Sequence, residues 1–507
     1  MGKIRDRHEN GGLTGQNTDP DKKRTAGRTT GRSADHSAGR TADHSAGRPP
    51  RRRQGPATEP AAGKDLRAGK EPAADNAPVS LADQLRDQFT DRPESLLFKI
   101  RAGCVQMVQL LVYGLLCGTL VGAVASIFAR GIDAATELRA AHPWVIFLMP
   151  VGAALIVFFY QKFDRSEGTD TVLLAVTRSE SVPGTMAPLI FCSTITSHFL
   201  GASVGREGAA LQIGGCIGDE LGKRLHFPDG ARRIMVMSGM SAAFSALFGT
   251  PLAATVVAME ISYVGLLQYD ALVPCVIAAL PAYYISGMLG VEKHPWGLSG
   301  VAPFTLPFAI STFVLAILCA LVSVLFVVAL GRIPALARKI PLKPVPRAAV
   351  MALVLLGMTL LSGGQFYNGA GGHVITECLR GESVPVYAFL VKILFTAVSI
   401  AAGFKGGEIV PSLFIGATFG SVVGPLLGLP SSLAAAIGMG CLFSCVTNCP
   451  LGTLLICFEM FGFEGWPYYL LAIAIASTVS GNYGLYHHQK IRYGKFSLGR
   501  EDANAHH

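Results

Sequence analysis

Residues 201–215 read "GASVGREGAALQIGG" and set Arg206 beside Glu207 in one of the most apolar parts of the chain, boxed by Gly205 and Gly208. Charge in a membrane-grade segment is costly, so its presence points to a pathway or a site. The glycines indicate what carries it. They let the backbone turn tightly, and an apolar run follows at once, so the stretch predicts a loop entering a helix in mid-membrane. The first turn of a helix has N–H groups without intrahelical partners and a partial positive charge, which suits an anion.

The surrounding composition agrees with a membrane setting. Of 507 residues, 50% are hydrophobic and only 15% charged, a balance that excludes an ordinary soluble enzyme and fits a polytopic membrane protein. The clearest candidate spans are 107–129, 143–161, 310–331, 349–361, 385–403 and 466–480. The stretches 184–204, 235–261, 406–430 and 432–461 are interrupted by Gly and Pro, which membranes tolerate only where freed backbone groups face protein or a wet cavity.

Most of the net charge of +9 sits in residues 1–70, with 16 Lys and Arg against 8 Asp and Glu. This region repeats "ADHSAGR" at 34–40 and 42–48 and has no aromatic residue before Phe89. Residues 1–95 are therefore expected to form a disordered basic tail, cytoplasmic and drawn to anionic lipid rather than nucleic acid. It lacks the apolar core of a signal peptide. The membrane domain is expected over 96–492, with halves at about 100–331 and 348–492, and 493–507 as a short polar C-terminus. Among eleven cysteines, Cys441, Cys445 and Cys449 recur every fourth residue on one helix face without a His or acidic shell. Neither a metal nor another cofactor is expected.

The body contains a repeat. "FSALFGTPLAATVVAME" at 244–260 and "FSCVTNCPLGTLLICFE" at 443–459 share Phe-Ser, Pro-Leu and a final Glu at the same spacing. A glycine-flanked glutamate precedes each, in "GREGAALQIGG" (205–215) and "GGEIVPSLFIGATFG" (406–420). Duplicated halves with broken helices are a transporter and channel architecture, with the site where the repeats meet. Two helix starts aimed at one point would strip a small anion of its water without a full positive charge that holds it too tightly. An ionised Glu207 would block that point as a tethered anion; protonated, it would swing away carrying a proton. Read instead as structure, Arg206 and Glu207 are an ion pair at a loop, with Arg206 bonded to a carboxylate or carbonyls near the rim. Glu260 and Glu459, at one repeat position, read as caps across the repeat interface, and His198 as a packed histidine.

These segments resemble the CLC family of chloride channels and anion/proton antiporters. "GREGAALQ" is similar to the family's G-R-E-G-P-x-x-Q, with Ala209 in place of Pro. "GGEIVPSLFIGA" is similar to its G-x-F-x-P-x-x-x-x-G-A, with Ile409 in place of Phe. "FGTPLAATVVAMEIS" (248–262) resembles the helix after the gate, and "GLYHHQKI" (484–491) places Tyr486 at the anion-contacting tyrosine. The resemblance implies an all-α membrane fold of two inverted repeats of broken, tilted helices, and a homodimer with one pathway per subunit. It also implies passage of chloride or fluoride exchanged for protons, with Glu207 as gate. The candidate anion contacts are Gly205, Arg206, Gly208, Ile409, Val410 and Tyr486.

Three departures bear on that reading. The family's first anion loop falls on "RSEGTDTVLLAV" (165–176), where only Gly168 is clearly kept, Ser166 or Glu167 falls near the coordinating serine, and Thr169 is a substitute donor. Glu260 is followed by Ile261, so the second Glu of many chloride/proton antiporters is absent. Glu408, with "GFKGGE" and "GLYxxQK", is similar to the fluoride/proton branch as a proton or selectivity residue, or is a carboxylate tied to Lys405. Val410, without a hydroxyl, is unlike that branch. A passive channel gated by voltage or pH and a non-transporting scaffold or sensor remain as alternatives. No nucleophile–base set supports an enzyme. The expected location is the inner (plasma) membrane, multi-pass.

Overall fold

The computed structural model describes residues 93–163, 168–293, 296–298, 301–495 and 500–505. The tail expected over 1–95 lies outside the described residues but for its last three, and so do Ser166 and Glu167 of the first loop.

Sixteen α-helices are found among the described residues. The first half has α1 (Pro93–Ala141), α2 (Met149–Phe163), α3 (Thr169–Arg178), α4 (Met186–Leu200), α5 (Glu207–Arg224), α6 (Asp229–Phe248), α7 (Pro251–Glu260) and α8 (Leu272–Met288). The second has α9 (Leu306–Arg338), α10 (Pro344–Leu361), α11 (Gly372–Leu379), α12 (Ala388–Ala401), α13 (Ile409–Leu426), α14 (Ser431–Thr447), α15 (Pro450–Phe461) and α16 (Trp466–Val479). Six helical segments among the described residues are long and apolar enough to cross a bilayer: Met107–Ala141, Pro143–Phe163, Tyr269–Met288, Leu306–Arg338, Pro344–Leu361 and Ile409–Leu426. At roughly 1.5 Å per residue the 33-residue α9 exceeds a hydrocarbon core of about 30 Å, long enough to span it with tilt to spare.

This set corrects the sequence reading in both directions. The runs 385–403 and 466–480 hold helices of only 14 residues, α12 and α16. The stretch 406–430 was expected to be interrupted by Gly and Pro, yet α13 runs for 18 residues through Gly416, Gly420 and Gly424. α8 was overlooked because Pro274 and Pro281 interrupt its pattern, although it stays helical through both.

The two halves are related by an inverted two-fold, and three sets of reciprocal hydrogen bonds show it. Gly205 and Gly407 exchange both backbone bonds in an antiparallel bridge, at 2.6 and 2.7 Å. The Ser203 N–H donates to Ser399 Oγ (2.9 Å), while the Lys405 N–H donates to Ser197 Oγ (3.1 Å). Glu260, ending α7, accepts the N–H groups of Leu451 and Gly452 at the start of α15 (3.3 and 2.8 Å). Glu459, near the end of α15, accepts those of Leu252 and Ala253 at the start of α7 (3.1 and 2.8 Å). Each helix of the pair caps the other's N-terminus, which requires α7 and α15 to run antiparallel. The capping role expected for Glu260 and Glu459 is thus met directly.

Glycines set how closely the helices of each half approach. A Cβ on Gly214 of α5 would collide with the Gly239 carbonyl of α6, and one on Gly416 of α13 with the Gly438 carbonyl of α14. Such small-residue contacts replace the hydrophobic driving force that helices lack in lipid.

The fold is mostly rather than wholly helical. Tyr263–Val264 (β1) pairs in parallel with Lys490–Tyr493 (β2), and β2 pairs antiparallel with Arg500–Asn504 (β3). The segment 493–507, expected as a short polar C-terminus, is joined to the body through β3. Gln489, fully buried, donates to the carbonyls of Ile261 and Thr447 (both 2.8 Å) and accepts from Asn448 Nδ2 (2.8 Å). It ties the last carbonyls of both broken-helix segments to the residues just after Tyr486.

Candidate functional site: a gate between two cavities

The Gly205–Gly407 bridge brings two helix N-termini together. α5 begins two residues after Gly205 and α13 two residues after Gly407. A Cβ on Gly407 would meet Gly208 N and lie 3.0 Å from Gly208 Cα; one on Gly205 would lie 3.1 Å from Val410 Cβ and Pro411 Cδ. Only glycine allows this approach, which explains the glycine boxes. Pro411 lacks an N–H that the first helical turn would leave unused anyway.

Glu207 is buried at this junction. Its Oε2 accepts the Arg206 N–H at 3.0 Å, and its Oε1 lies 3.5 Å from Arg206 Nε. The carboxylate thus occupies the position above a helix start where an anion would sit. Arg206 also reaches Asp133 Oδ1 at 2.9 Å.

These bonds bear on two of the expected anion contacts. The Gly205 N–H is spent on Gly407, so Gly205 shapes the site and offers no donor to an ion. The Arg206 guanidinium is paired with Asp133 and Glu207, which matches the rim-pairing reading, while its backbone N–H is bonded to the Glu207 carboxylate. Gly208, Ile409 and Val410 lie in the opening turns, where N–H groups lack intrahelical partners.

Two cavities reach this junction. The first, of about 660 Å³, is lined by Asp133, Arg206, Glu207 and Val410 among others. The second, of about 460 Å³, is lined by Asp170, Glu408, Leu485 and His487, with Arg338 and Arg347 at its margin. Arg206 and Glu408 are the N-cap residues of α5 and α13. The two-fold therefore exchanges one with the other, and the cavities approach the bridge from opposite faces. Lys405 Nζ lies 4.2 Å from the Tyr160 ring centroid.

Tyr486 is buried, not placed at an interface, and its hydroxyl has no hydrogen-bond partner in the structure. An unpaired buried phenol is uncommon and points to a missing acceptor. Tyr486→Phe is expected to leave the thermal unfolding temperature unchanged, because the hydroxyl it removes bonds nothing. It is expected to weaken halide binding roughly tenfold, about the worth of one hydrogen bond to an ion. A titration of halide binding beside a melting curve checks both halves.

Several features were out of reach of the sequence. Glu207 and Gly205 stood out, but the pairing of Gly205 with Gly407 spans 202 positions and shows only as an offset in the repeat. Asp170 passed unremarked; it lines the second cavity, and its Oδ1 accepts the His488 N–H at 3.0 Å. Thr169, expected as a substitute anion donor, accepts a hydrogen bond from Gln212 Nε2 at its Oγ1 (3.0 Å), which leaves its own O–H to donate.

Comparison with known proteins agrees with this architecture. Residues 152–481 match the family described as voltage gated chloride channel. The chain belongs to this CLC family. It is 34% identical over 389 residues to a chloride/fluoride channel protein of Pseudomonas syringae pv. tomato, covering 75% of this chain and 86% of that protein. A crystal structure of a CLC-type fluoride/proton antiporter superposes with a TM-score of 0.74 at 31% identity, covering 76% of this chain and 99% of that one. A slow cyanobacterial chloride/proton antiporter, at 18% identity and a TM-score of 0.64, shares the fold.

Proposed function

We propose that this CLC protein exchanges fluoride for protons across the membrane, with Glu207 as both gate and proton carrier. The observation that carries this is the Glu207 carboxylate itself, buried over the start of α5 where the two helix N-termini meet. In this pose it fills the anion's place. Protonated, it loses the charge that holds it over the helix start, leaves, and lets an anion in. An anion entering from the first cavity meets the opening turns of α5 and α13 at Glu207 and Val410, and one entering from the second meets Glu408 and the two neighbours of Tyr486, Leu485 and His487.

Fluoride is supported by two relatives above 30% identity that carry it in their names, one of them beside chloride. Glu408 in the second cavity and Ile261 in place of a second post-gate Glu are in keeping with it. The second cavity opens beside the basic segment 332–347, which supports placing it on the cytoplasmic side of the plasma membrane, and the excess of Lys and Arg in residues 1–70 supports a cytoplasmic tail. Family membership supports a homodimer with one pathway per subunit. The domain division at residues 96 and 492 belongs to the same proposal, with β3 extending the body past its second boundary.

Efflux from proteoliposomes loaded with equal fluoride and chloride tests the ion. Faster fluoride release supports the proposal; faster chloride release overturns its fluoride half.

A further inference from the structure

The wall of the first cavity holds two cations that the gate does not use. Lys392, in α12, is fully buried, and its Nζ donates to the carbonyls of Tyr367 (3.0 Å) and Gly369 (2.7 Å) while lying 4.8 Å from the Phe414 ring centroid. Arg139, near the end of α1, is also buried, and its Nη1 donates to the His198 carbonyl at 2.6 Å. A Cβ on Gly369 would lie 3.2 Å from Arg139 Nη2. The ammonium and the guanidinium therefore flank one peptide, and the partners named for each are carbonyls and a ring, with no carboxylate. Buried charges are ordinarily paired with opposite charge, and two like charges side by side make the need greater.

The same peptide leads to a helix start. Gly369 and Gly371 adopt the left-handed conformation (φ +63° and +81°), turning the chain into α11 at Gly372. Gly371, Gly372 and His373 line the first cavity together with Arg139, His198 and Asn368. His198 supplies an independent sign of a missing ligand. Its Nδ1 is bonded to the Thr194 carbonyl (2.9 Å), while its buried Nε2 has no partner in the structure. The acidic groups of this cavity do not compensate the cations. Asp133 and Glu207 are bonded to Arg206, and Glu137 and Glu292 are exposed to solvent, where water screens them.

We propose that Arg139, Lys392, His198 and the start of α11 form a second anion site in the first cavity, a staging post for the halide beside the gate. Arg139 and the α11 N–H groups face the cavity and hold the ion. Lys392 acts from behind through its field, since a low-dielectric wall focuses charge onto the cavity. The device exists on one side only. With the register set by the serine bonds, the two-fold mate of Lys392 is Ile190, buried and apolar. Choosing a halide as ligand rests on the transport reading above, but binding is measurable without transport.

Bromide soaked into crystals of the wild-type protein is the first test. An anomalous peak beside Arg139, separate from the gate, is expected; a difference map with no ion there overturns the site. The second test compares Lys392→Met with Lys392→Arg in proteoliposomes of fixed orientation. The Met variant should raise the apparent KM for halide about fivefold from the first cavity's side alone, with the maximal rate kept, and Arg should restore it. A KM unchanged from that side, or raised equally from both sides, means Lys392 only holds the 367–369 turn in place, and overturns the staging role. Should Lys392→Met fail to fold, the bromide experiment still decides. Bromide bound by a wild-type protein that moves no halide would support the site while removing the proposed function.

Discussion

Glu207→Gln leaves a protein that passes halide but no longer moves protons. Glutamine keeps the length of the side chain, and its Oε1 can still accept the Arg206 N–H now held at 3.0 Å. Arg206 keeps its bond to Asp133, so the loop retains its anchor. What disappears is the group that gains and loses a proton. Proton flux in proteoliposomes should fall on the order of a hundredfold, to background, which is the scale of losing an essential acid–base group. Halide flux should persist, because an uncharged amide has less claim on the helix start than a carboxylate does. A variant that still pumps protons would remove Glu207 from the mechanism.

A large effect on stability is expected at Gly214. A Cβ there would collide with the Gly239 carbonyl, and backbone cannot rotate out of the way as a side chain can. Gly214→Ala should therefore part α5 from α6 and cost about 3 kcal/mol, the upper range for overpacking. Gly230→Ala is the control within α6. Its Cβ would meet nothing within 4 Å, and alanine is the better helix former, so stability should hold or rise slightly. Thermal unfolding in detergent measures both. Equal melting of the two variants would mean that the helices can separate without penalty.

The repeat carried much of the fold in plain view. Two glutamates at one repeat position, Glu260 and Glu459, become reciprocal caps, and two glycine boxes become one bridge. These were readable because duplication preserves spacing, and spacing survives in a linear string. Pairings without a repeat partner did not survive in this way. Arg139 and Lys392 flank one peptide although they lie far apart in the chain, and Lys392, the one charge in the apolar run 385–403, signals a partner without saying which. β3 meets β2 through backbone bonds in a polar segment with no alternating pattern, so the sequence reads only as a short polar C-terminus. The anion contacts split for the same reason. Glycine content showed where the backbone turns, but which N–H groups stay free depended on the partner loop, and the Gly205 N–H was already taken.

Coupling between the two ions is the central claim, and an imposed gradient tests it most directly. Proteoliposomes are loaded with fluoride, diluted into fluoride-free buffer at the same pH, and followed with a fluoride electrode and an internal pH dye. Exchange predicts that fluoride leaving the vesicle drives protons inward, so the interior acidifies against no initial pH difference. Fluoride leaving with the interior pH unchanged, under a clamped membrane potential, would contradict the account and make the pathway a passive channel.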